Sequence, residues 1–367
     1  MTIASAFTPY LDAEIEGLPP ADMTVAPSSI EEAKQILDLA SKHGLKAAVW
    51  GGGTHQGFGG RLQPDLVIST ARLNRLIDWQ PDDFTVTVEA GMTVSALESM
   101  LAERNQTAVL PELPGSATVG GVLAAGVSGW RRARYGPTRD RVLEVELITG
   151  DGRQVRAGGR VVKNVTGFDL PRLTVGSFGS LGLIAQICLK LWPLPSARAT
   201  VSVPDGDAAL AVAYRPVAVV KTDGSASVFL GGTEEEVESQ IRALGGNMVS
   251  GWLWEPEPEG PVRWSLRLPP SAVREAIGRL PNNWSYQAGL GVGDIKAASH
   301  DADGAVELRS WAESRGGALV IADGPDELYV TLDPWGTPPA GLKIQRNLIR
   351  RFDPVRVLNP GRLPGGL

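Results

Sequence analysis

Two glycine-rich stretches, about 60 residues apart, constrain this chain more than any other feature of its sequence. The first runs from Gly51 to Gly60 and the second from Pro114 to Gly129. Glycine lets a backbone curl tightly, and the N–H groups beside it can approach an anion without hindrance from a side chain. Hydroxyls of Thr54, Ser116 and Thr118 would add further donors. Two such loops could hold a pyrophosphate from both sides, although each loop alone is equally compatible with tight turns and close helix packing.

The two commonest glycine signatures of nucleotide-binding proteins do not fit these loops. The dinucleotide fingerprint GxGxxG fails because Gln56 and Leu62 occupy the positions that its third glycine would need. The P-loop signature fails because Gly121 and Val122 follow Gly120, where lysine and then serine or threonine are required. The loops therefore belong to another kind of nucleotide site.

Length, charge and cysteine content narrow the possible classes of protein. The chain has 367 residues, enough for two domains, and a net charge of -6, which argues against nucleic-acid binding. Its single cysteine, Cys188, cannot form an internal disulfide or supply the roughly four ligands of an iron–sulfur cluster. We see no secretory leader and no apolar stretch near the ~20 residues that span a membrane. We therefore expect a cytoplasmic protein, with at most peripheral contact at the inner face of the plasma membrane.

Hydrophobic periodicity predicts a mixed α+β chain. Residues 1–27 are expected to form a loosely ordered lead-in. Helices are predicted near residues 29–43 and 93–104, and strands near 46–50, 66–68, 84–90, 142–148, 154–162 and 183–191, with a hairpin turn at Asp151-Gly152.

In this order and spacing, the two loops resemble the FAD-binding domain of the vanillyl-alcohol-oxidase family, which has the PCMH-type fold. Further matching segments are Arg134–Asp140, Lys163–Leu170, Gly176–Ile184 and Leu358–Arg362. The resemblance implies an α+β, two-subdomain PCMH-type FAD-binding fold with a smaller α+β cap domain. It implies an FAD-binding domain over residues 22–197, a cap over 198–340, and a C-terminal segment, 341–367, that returns to the FAD domain.

The resemblance also implies which residues hold FAD. The two loops would hold the pyrophosphate, Ser128 and Gly129 would lie near the flavin or its ribityl chain, and Ile184 would contact the adenine end. One departure is Gly126, where many members have asparagine. The predicted cofactor-binding residues are Gly51, Gly52, Gly53, Thr54, His55, Gln56, Gly57, Pro114, Gly115, Ser116, Thr118, Gly120, Gly121, Ser128, Gly129 and Ile184.

The position of His55 bears on how FAD is attached. Some family members bind FAD covalently through a histidine that directly follows two glycines. Here Thr54 follows the glycines and His55 comes one residue later, which turns its side chain elsewhere in a tight loop. We therefore predict non-covalent FAD, with His55 either in contact with it or exposed as a bystander.

The chain has no evident catalytic group or metal site. It contains three histidines, His43, His55 and His300. Relatives that oxidise 2-hydroxy acids carry a His-x-Gly-Asp-Gly-Asn-x-His motif in the cap, and nothing similar occurs between residues 197 and 340. Oxidising an alcohol needs a group that takes the hydroxyl proton. No catalytic residue or metal ligand is therefore predicted.

Within the family, the chain resembles the E-subunit group of bacterial glycolate oxidases. The resemblance rests on its short length, the run 159–170 and the cap without histidine motif. It implies a subunit that passes or stores electrons beside a larger FAD-containing catalytic subunit and an iron–sulfur subunit, during oxidation of glycolate to glyoxylate. The isolated chain would then be inactive. Two alternatives stay open: a single-chain FAD-dependent oxidase or dehydrogenase of a sugar acid or alcohol, and a scaffold subunit with structural FAD.

A group of tryptophans in the predicted cap suggests a surface for a partner. Trp252 and Trp254 would share one face if they lay on a strand, and would form a bulky ridge. The alternative is that these side chains fill the core of the cap itself. The group consists of Trp252, Trp254, Trp264, Trp284, Trp311 and Trp335.

Overall fold

The computed structural model describes residues 3–11, 20–160 and 168–367, and it shows a mixed α+β architecture. In the N-terminal region the strands are β1 (Met23–Val25), β2 (Ala47–Trp50), β3 (Leu66–Ser69), β4 (Leu76–Gln80), β5 (Thr85–Glu89), β6 (Gln106–Thr107), β7 (Val142–Ile148), β8 (Gln154–Gly158), β9 (Leu183–Lys190) and β10 (Trp192–Pro193). The helices there are α1 (Ile3–Phe7), α2 (Ile30–His43), α3 (Val94–Ala102), α4 (Val119–Ala125), α5 (Arg132–Tyr135) and α6 (Leu170–Thr174).

A small parallel sheet, in the order β1-β3-β2, packs against α2. The helix begins where the Ser29 hydroxyl accepts a bond from the Glu32 backbone N–H at 3.2 Å, and it ends at Gly44, whose φ of 65° is left-handed. These are the start and stop signals that the sequence predicts. Its apolar face, which includes Ile36 and Leu37, is fully buried.

A second sheet, in the order β4-β5-β9-β7-β8, is antiparallel and packs against α3 and α4. Thr93 and Thr118 cap these helices, each accepting a bond from the backbone N–H three residues later. The hairpin between β7 and β8 turns at Gly152, where φ is 77°. The two sheets meet through Ile148 and Leu183, and the helices of the second sheet approach the loop that follows β2.

The expectation of a loosely ordered lead-in is wrong for the described part of residues 1–27. Phe7 is fully buried against α2 and its sheet, and β1 adds a parallel strand beside β3. Short elements of this kind carry too little periodicity to be recognised in the sequence, and burial of Phe7 and Val25 stabilises them instead.

Residues 197–331 form a second sheet-and-helix unit, which we call the cap. Its strands are β11 (Ala197–Val203), β12 (Ala218–Lys221), β13 (Ala226–Gly232), β14 (Asn247–Ser250), β15 (Val262–Arg267), β16 (Ser285–Gly289), β17 (Asp294–Ser299) and β18 (Ala318–Asp323), and its helices are α7 (Gly206–Val212), α8 (Glu234–Leu244), α9 (Val273–Ile277), α10 (Ala305–Ser314) and α11 (Asp326–Thr331). The strands make one antiparallel sheet in the order β14-β11-β13-β12-β16-β17-β15-β18. The helices cover one face of this sheet, and part of its other face turns toward the N-terminal region.

The predicted tryptophan ridge is wrong. Trp252 and Trp254 do not lie on a strand, because β14 ends at Ser250 and Gly251 turns the chain with a φ of 83°. The Trp254 ring stacks on Phe229 with 3.8 Å between ring centroids, and Trp252 donates its Nε1–H to the carbonyl oxygen of Leu230 at 2.6 Å.

The other tryptophans of the group are also packed. Trp264 and Trp284 are buried and stack on each other at 5.0 Å, while Trp311 and Trp335 are half-buried. The six tryptophans therefore pack against other parts of the protein, and they do not form an exposed apolar face.

The chain returns to the N-terminal region after the cap. Following α12 (Leu342–Phe352), the buried Asp353 carboxylate accepts bonds from the backbone N–H groups of Val357 and Leu358, at 2.9 and 2.7 Å. Leu358 then makes a parallel bridge with Ala47 beside β2. Within the described residues no helix is long and apolar enough to cross a membrane. Most of the run 159–170 that carried part of the family resemblance lies outside the described residues.

Candidate functional site

The two glycine-rich loops meet at a narrow slot of about 70 Å³ between the two sheets of the N-terminal region. The approach of the loops depends on glycine. A Cβ atom at Gly51 would overlap the Thr118 hydroxyl, and one at Gly52 would overlap the Ser116 carbonyl oxygen. Any other residue at these two positions would force the loops apart.

The first loop supplies the hydrogen-bond donors of the slot. None of the consecutive backbone N–H groups from Gly51 to His55 donates to another residue that the structure describes, although all five residues line the slot. These five residues are half-buried, and N–H groups without a protein partner beside an open space are free to donate to a bound acceptor. Successive N–H groups of this kind form concave sites for anions.

The second loop forms a wall of the slot, but several of its backbone N–H groups are already paired within the protein. The backbone N–H groups of Val119, Gly120 and Gly121 already donate to Met92, Ala90 and Thr118 respectively. Gly120 packs so closely on Ala90 that a Cβ atom would collide with it, whereas a Cβ atom at Gly121 would meet only the Thr118 hydroxyl, at 3.0 Å. Gly121 therefore keeps the wall of the slot open.

The structure brings most of the predicted cofactor-binding residues together. Those that line the slot are Gly51, Gly52, Gly53, Thr54, His55, Gln56, Thr118, Gly120, Gly121 and Ile184. Ser128 and Gly129 line a second, wider cavity beside it. Four others line neither space: Gly57 packs against the cap at Asp323, and Pro114, Gly115 and Ser116 are exposed at the rim of the second loop.

Several residues that line the slot were not predicted from the sequence. Asn359 and Arg362 come from the end of the chain, and Phe178 and Gly179 come from the turn before β9. The Asn359 side chain accepts from the Val49 N–H at 3.0 Å and donates to the Phe178 carbonyl oxygen at 2.9 Å, so it joins three distant segments. The only sequence signal for these residues was their place in segments that match the family.

The second space is a cavity of about 740 Å³ between the N-terminal region, the cap and α12, which we call the wide cavity. Thr54 and His55 line both the slot and the wide cavity, so the two spaces adjoin there. Gly126, where many family members have asparagine, ends α4 with a φ of 69° and also lines the wide cavity. A ligand with an anionic middle and a flat end could thus run from the slot into the wide cavity.

One wall of the wide cavity is the charged face of the cap sheet. On β15 the lining residues include Arg263, Ser265 and Arg267, which alternate with Trp264 and Leu266 of the cap core, and Trp264 also borders the cavity. The ionisable residues that line the cavity, besides His55, are Arg132, Arg139, Arg263, Arg267, Lys296, Glu257 and Asp294, so cations outnumber acids.

Most of these charges are paired. Arg132 binds Asp294 at 2.7 Å, Arg263 binds Asp323 at 2.8 Å, and Lys296 forms a short ion pair with Glu257. Burial acts to raise the pKa of Glu257, but Lys296 and neighbouring cations leave it below its ordinary value. Arg267 makes no ion pair with any described residue, so the cavity keeps an excess of positive charge.

His55 lies where the two spaces meet, and its environment favours the neutral imidazole. Burial lowers the pKa of His55 to about 4, an effect that Glu257 opposes and that Lys296 and Arg263 reinforce. Its Nδ1 lies 2.9 Å from the Thr54 hydroxyl. A neutral imidazole can accept a hydrogen bond at physiological pH. The described residues contain no group of three or more His, Cys, Asp or Glu side chains that could hold a metal ion.

Comparison with known proteins identifies the domain that contains the slot. Residues 21–158 match the family model described as FAD binding domain. Over 330 residues the chain is 28% identical to glycolate oxidase subunit GlcE of Escherichia coli (strain K12), and the match covers 85% of this chain and 91% of that protein.

Other relatives match about half of this chain. Glycolate oxidase subunit GlcD of Bacillus subtilis (strain 168) is 33% identical over 184 residues, and D-2-hydroxyglutarate dehydrogenase of Xanthomonas citri pv. viticola is 33% identical over 192 residues. These matches cover 49% and 51% of this chain but only 38% and 40% of the relatives. Among solved structures, an alkyldihydroxyacetonephosphate synthase superposes with a TM-score of 0.67 at 15% identity, covering 93% of this chain and 76% of that one, which supports the predicted fold.

Proposed function

We propose that this chain, which carries a PCMH-type FAD-binding domain and is a flavoprotein with FAD as its cofactor, is the FAD-binding subunit of a glycolate-oxidising complex. In this proposal it passes electrons between a larger FAD-containing subunit, which oxidises glycolate to glyoxylate, and an iron–sulfur subunit. The complex would be cytoplasmic, with peripheral contact at the inner face of the plasma membrane. We also propose the division into residues 22–197, 198–340 and 341–367, and non-covalent attachment of FAD.

The observation that carries the cofactor part is the unpaired run of backbone N–H groups from Gly51 to His55. It lies in a slot whose two loops approach each other closely because Gly51 and Gly52 carry no side chain, and it adjoins a cavity wide enough for a flavin ring. The residues present therefore fit FAD, with the pyrophosphate in the slot and the flavin end toward Ser128 and Gly129.

The subunit part rests on the extent of the sequence match. Similarity to a named glycolate oxidase subunit extends through the cap and covers nearly the whole of that protein, whereas the hydroxy-acid dehydrogenases match in one half. The cap sequence also lacks the histidine motif of those enzymes. Both observations favour a chain that works beside a catalytic subunit.

The residues of this chain would bind, orient and shield the cofactor. FAD supplies the capacity to take up and release one or two electrons. The first loop would neutralise part of the pyrophosphate charge through its backbone dipoles, and the cap would cover the wide cavity. A neutral His55 could accept a hydrogen bond at the place where the slot opens into the wide cavity.

The proposal is tested by purifying the chain alone and together with the larger subunits, and then measuring glycolate oxidation with a dye acceptor. We expect the chain alone to contain FAD and to show no useful turnover, and the complex to be active. Glycolate oxidation by the isolated chain at the rate of the complex would contradict the subunit role.

A second candidate function is favoured by the excess positive charge of the wide cavity. Arg267 could hold the carboxylate of a small anionic alcohol, such as a sugar acid, in a single-chain oxidoreductase, with the neutral His55 accepting a hydrogen bond from its hydroxyl. Screening sugar acids and alcohols against the isolated chain with a dye acceptor tests it. This candidate is favoured if the isolated chain oxidises one of these substrates and if His55→Gln or Arg267→Gln abolishes that turnover. If the isolated chain shows no turnover, the subunit role is favoured instead.

A further inference from the structure

We propose that Arg362, contributed by the C-terminal segment, is the counter-charge for the pyrophosphate of FAD and closes the slot over it. Arg362 lines the slot, and its residue surface is only 4% exposed. It forms no ion pair with any described carboxylate. A guanidinium buried in this way without an acid is costly unless another anion faces it.

Arg362 is the only charged side chain among the described residues that line the slot. The other lining residues are apolar, small or neutral, and His55 is neutral near pH 7. The pyrophosphate of FAD carries about two negative charges, and the backbone dipoles of the first loop offset only part of this charge. The slot therefore has one full positive charge, in the place where the cofactor brings negative charge.

The hydrogen bonds of Arg362 leave part of its guanidinium free. Its Nη1 donates to the carbonyl oxygens of Gln56 and Phe58 at 2.7 and 2.8 Å, and its Nη2 donates to the Gln56 side chain in a short bond. A guanidinium has five N–H donors. The Nε–H and one Nη2–H have no partner among the described residues, and they can serve a ligand in the slot.

The same contacts make the C-terminal segment a closure for the first loop. The backbone of Arg362 accepts from the Gly60 N–H and from the Trp335 side chain, while its side chain holds Gln56 and Phe58. Loss of the cation would therefore weaken binding of the pyrophosphate and also loosen the loop that carries the donors.

The test compares ligands with and without a pyrophosphate on apoprotein freed of flavin. Dissociation constants of FAD, ADP and adenosine are measured for the wild-type chain, Arg362→Gln and Arg362→Lys. We expect Arg362→Gln to weaken FAD and ADP binding by about 10- to 100-fold while adenosine changes little, since hydrogen bonds to charged groups contribute that much. Arg362→Lys, which keeps the charge, should lose less.

Two controls separate charge from loop contacts. Arg346→Gln removes an exposed cation on α12 and should change no affinity. Gln56→Ala removes one loop contact of Arg362 but keeps its charge, so it should weaken ADP binding much less than Arg362→Gln does.

The proposal is overturned if Arg362→Gln retains FAD affinity within about twofold, or if it weakens adenosine as much as ADP. If that variant does not fold, the melting temperature of wild-type apoprotein with inorganic pyrophosphate decides. If pyrophosphate raises the melting temperature of both the wild-type and the Arg362→Lys apoprotein, the role of Arg362 as counter-charge is supported. If pyrophosphate does not raise the melting temperature, that role is overturned.

Discussion

The glycines around the slot determine how closely its walls approach each other and where a cofactor can lie. At Gly51, Gly52 and Gly120 a side chain would collide with the facing loop or strand, so glycine there serves close packing. Gly121 differs, because a side chain would point into the slot and meet little else. The four positions look alike in the sequence, and only the structure separates glycines that join the loops from the glycine that leaves room for a ligand.

The position of Gly121 predicts the effect of a single added carboxylate. We expect Gly121→Glu to abolish FAD binding, because its charge would face the pyrophosphate at short range in a partly dry slot. FAD content is read from the absorbance of the purified protein. Gly278→Glu, at an exposed position in the cap with φ of -69°, is the matched control and should retain FAD. A folded Gly121→Glu protein with full flavin would show that the pyrophosphate lies elsewhere.

Burial of His55 predicts a pH dependence of stability in the apoprotein. The pKa of His55 is about 4 in the folded state and near 6.5 when unfolded, so the unfolded state binds the proton first as pH falls. The stability linked to His55 is complete above pH 6.5 and is lost as the pH falls toward 4.

Denaturant unfolding of the apoprotein between pH 7 and 4 measures this dependence. His55→Gln should remove up to about 3 kcal/mol of the decline, since one pKa unit corresponds to about 1.4 kcal/mol. His300→Gln, at an exposed loop position, should leave the decline unchanged. Parallel curves for wild type and His55→Gln would contradict the half-buried, neutral imidazole.

At the scale of elements, the sequence predicted structure that local signals specify, but it did not predict structure that depends on long-range contacts. The sequence predicted α2 with its caps, α3, and four of the five strands of the second sheet but not β4, because each predicted element is specified by residues within one segment. It did not predict β1 or the role of Asn359, whose partner Val49 is 310 residues away in the chain. Contacts of that separation leave no periodic pattern in a single sequence.

Asp353 fixes the C-terminal segment, and its removal should destabilise the fold. We expect Asp353→Ala to lower the free energy of unfolding by about 2 to 4 kcal/mol, because two buried backbone N–H groups would lose a charged acceptor. Asp353→Asn keeps one acceptor and should lower the free energy of unfolding by less. Asp82→Ala, at an exposed position, should leave the free energy of unfolding almost unchanged. Urea unfolding measures all three, and equal stability of Asp353→Ala and Asp82→Ala would refute this role.

The tryptophan pair after β14 is predicted to support the cap rather than bind a partner. Trp254→Ala should lower the free energy of unfolding by about 3 kcal/mol, because its ring stacks on Phe229. Leu253→Ala is the neighbouring control, and since Leu253 is 60% exposed it should change stability by less than about 0.5 kcal/mol. If Trp254→Ala were as stable as wild type, the hypothesis that these tryptophans bind a partner would be favoured again.

At the scale of the whole molecule, the chain folds back on itself so that three regions enclose one site. The two loops supply the slot, the cap covers the wide cavity, and the C-terminal segment closes the slot through Asn359 and Arg362. The sequence predicted the loops and their cofactor, because glycine clusters and family motifs are local. It could not predict the charged face of the cap sheet, since alternation of Arg263, Ser265 and Arg267 with core residues acquires meaning only when the facing wall is known.

The central claim is that the FAD of this chain carries electrons that another subunit takes from glycolate. The most direct measurement is the absorbance of this chain's flavin after anaerobic mixing with glycolate, first alone and then in the complex with the larger subunits. A complex containing Gly121→Glu gives the signal of the other flavin for subtraction.

We predict that the flavin stays oxidised in the isolated chain and becomes reduced in the complex as fast as the complex turns over. Reduction in the isolated chain at that rate would contradict the subunit role and indicate a single-chain enzyme. A flavin that stays oxidised while the complex turns over would contradict electron transfer and indicate a scaffold with structural FAD.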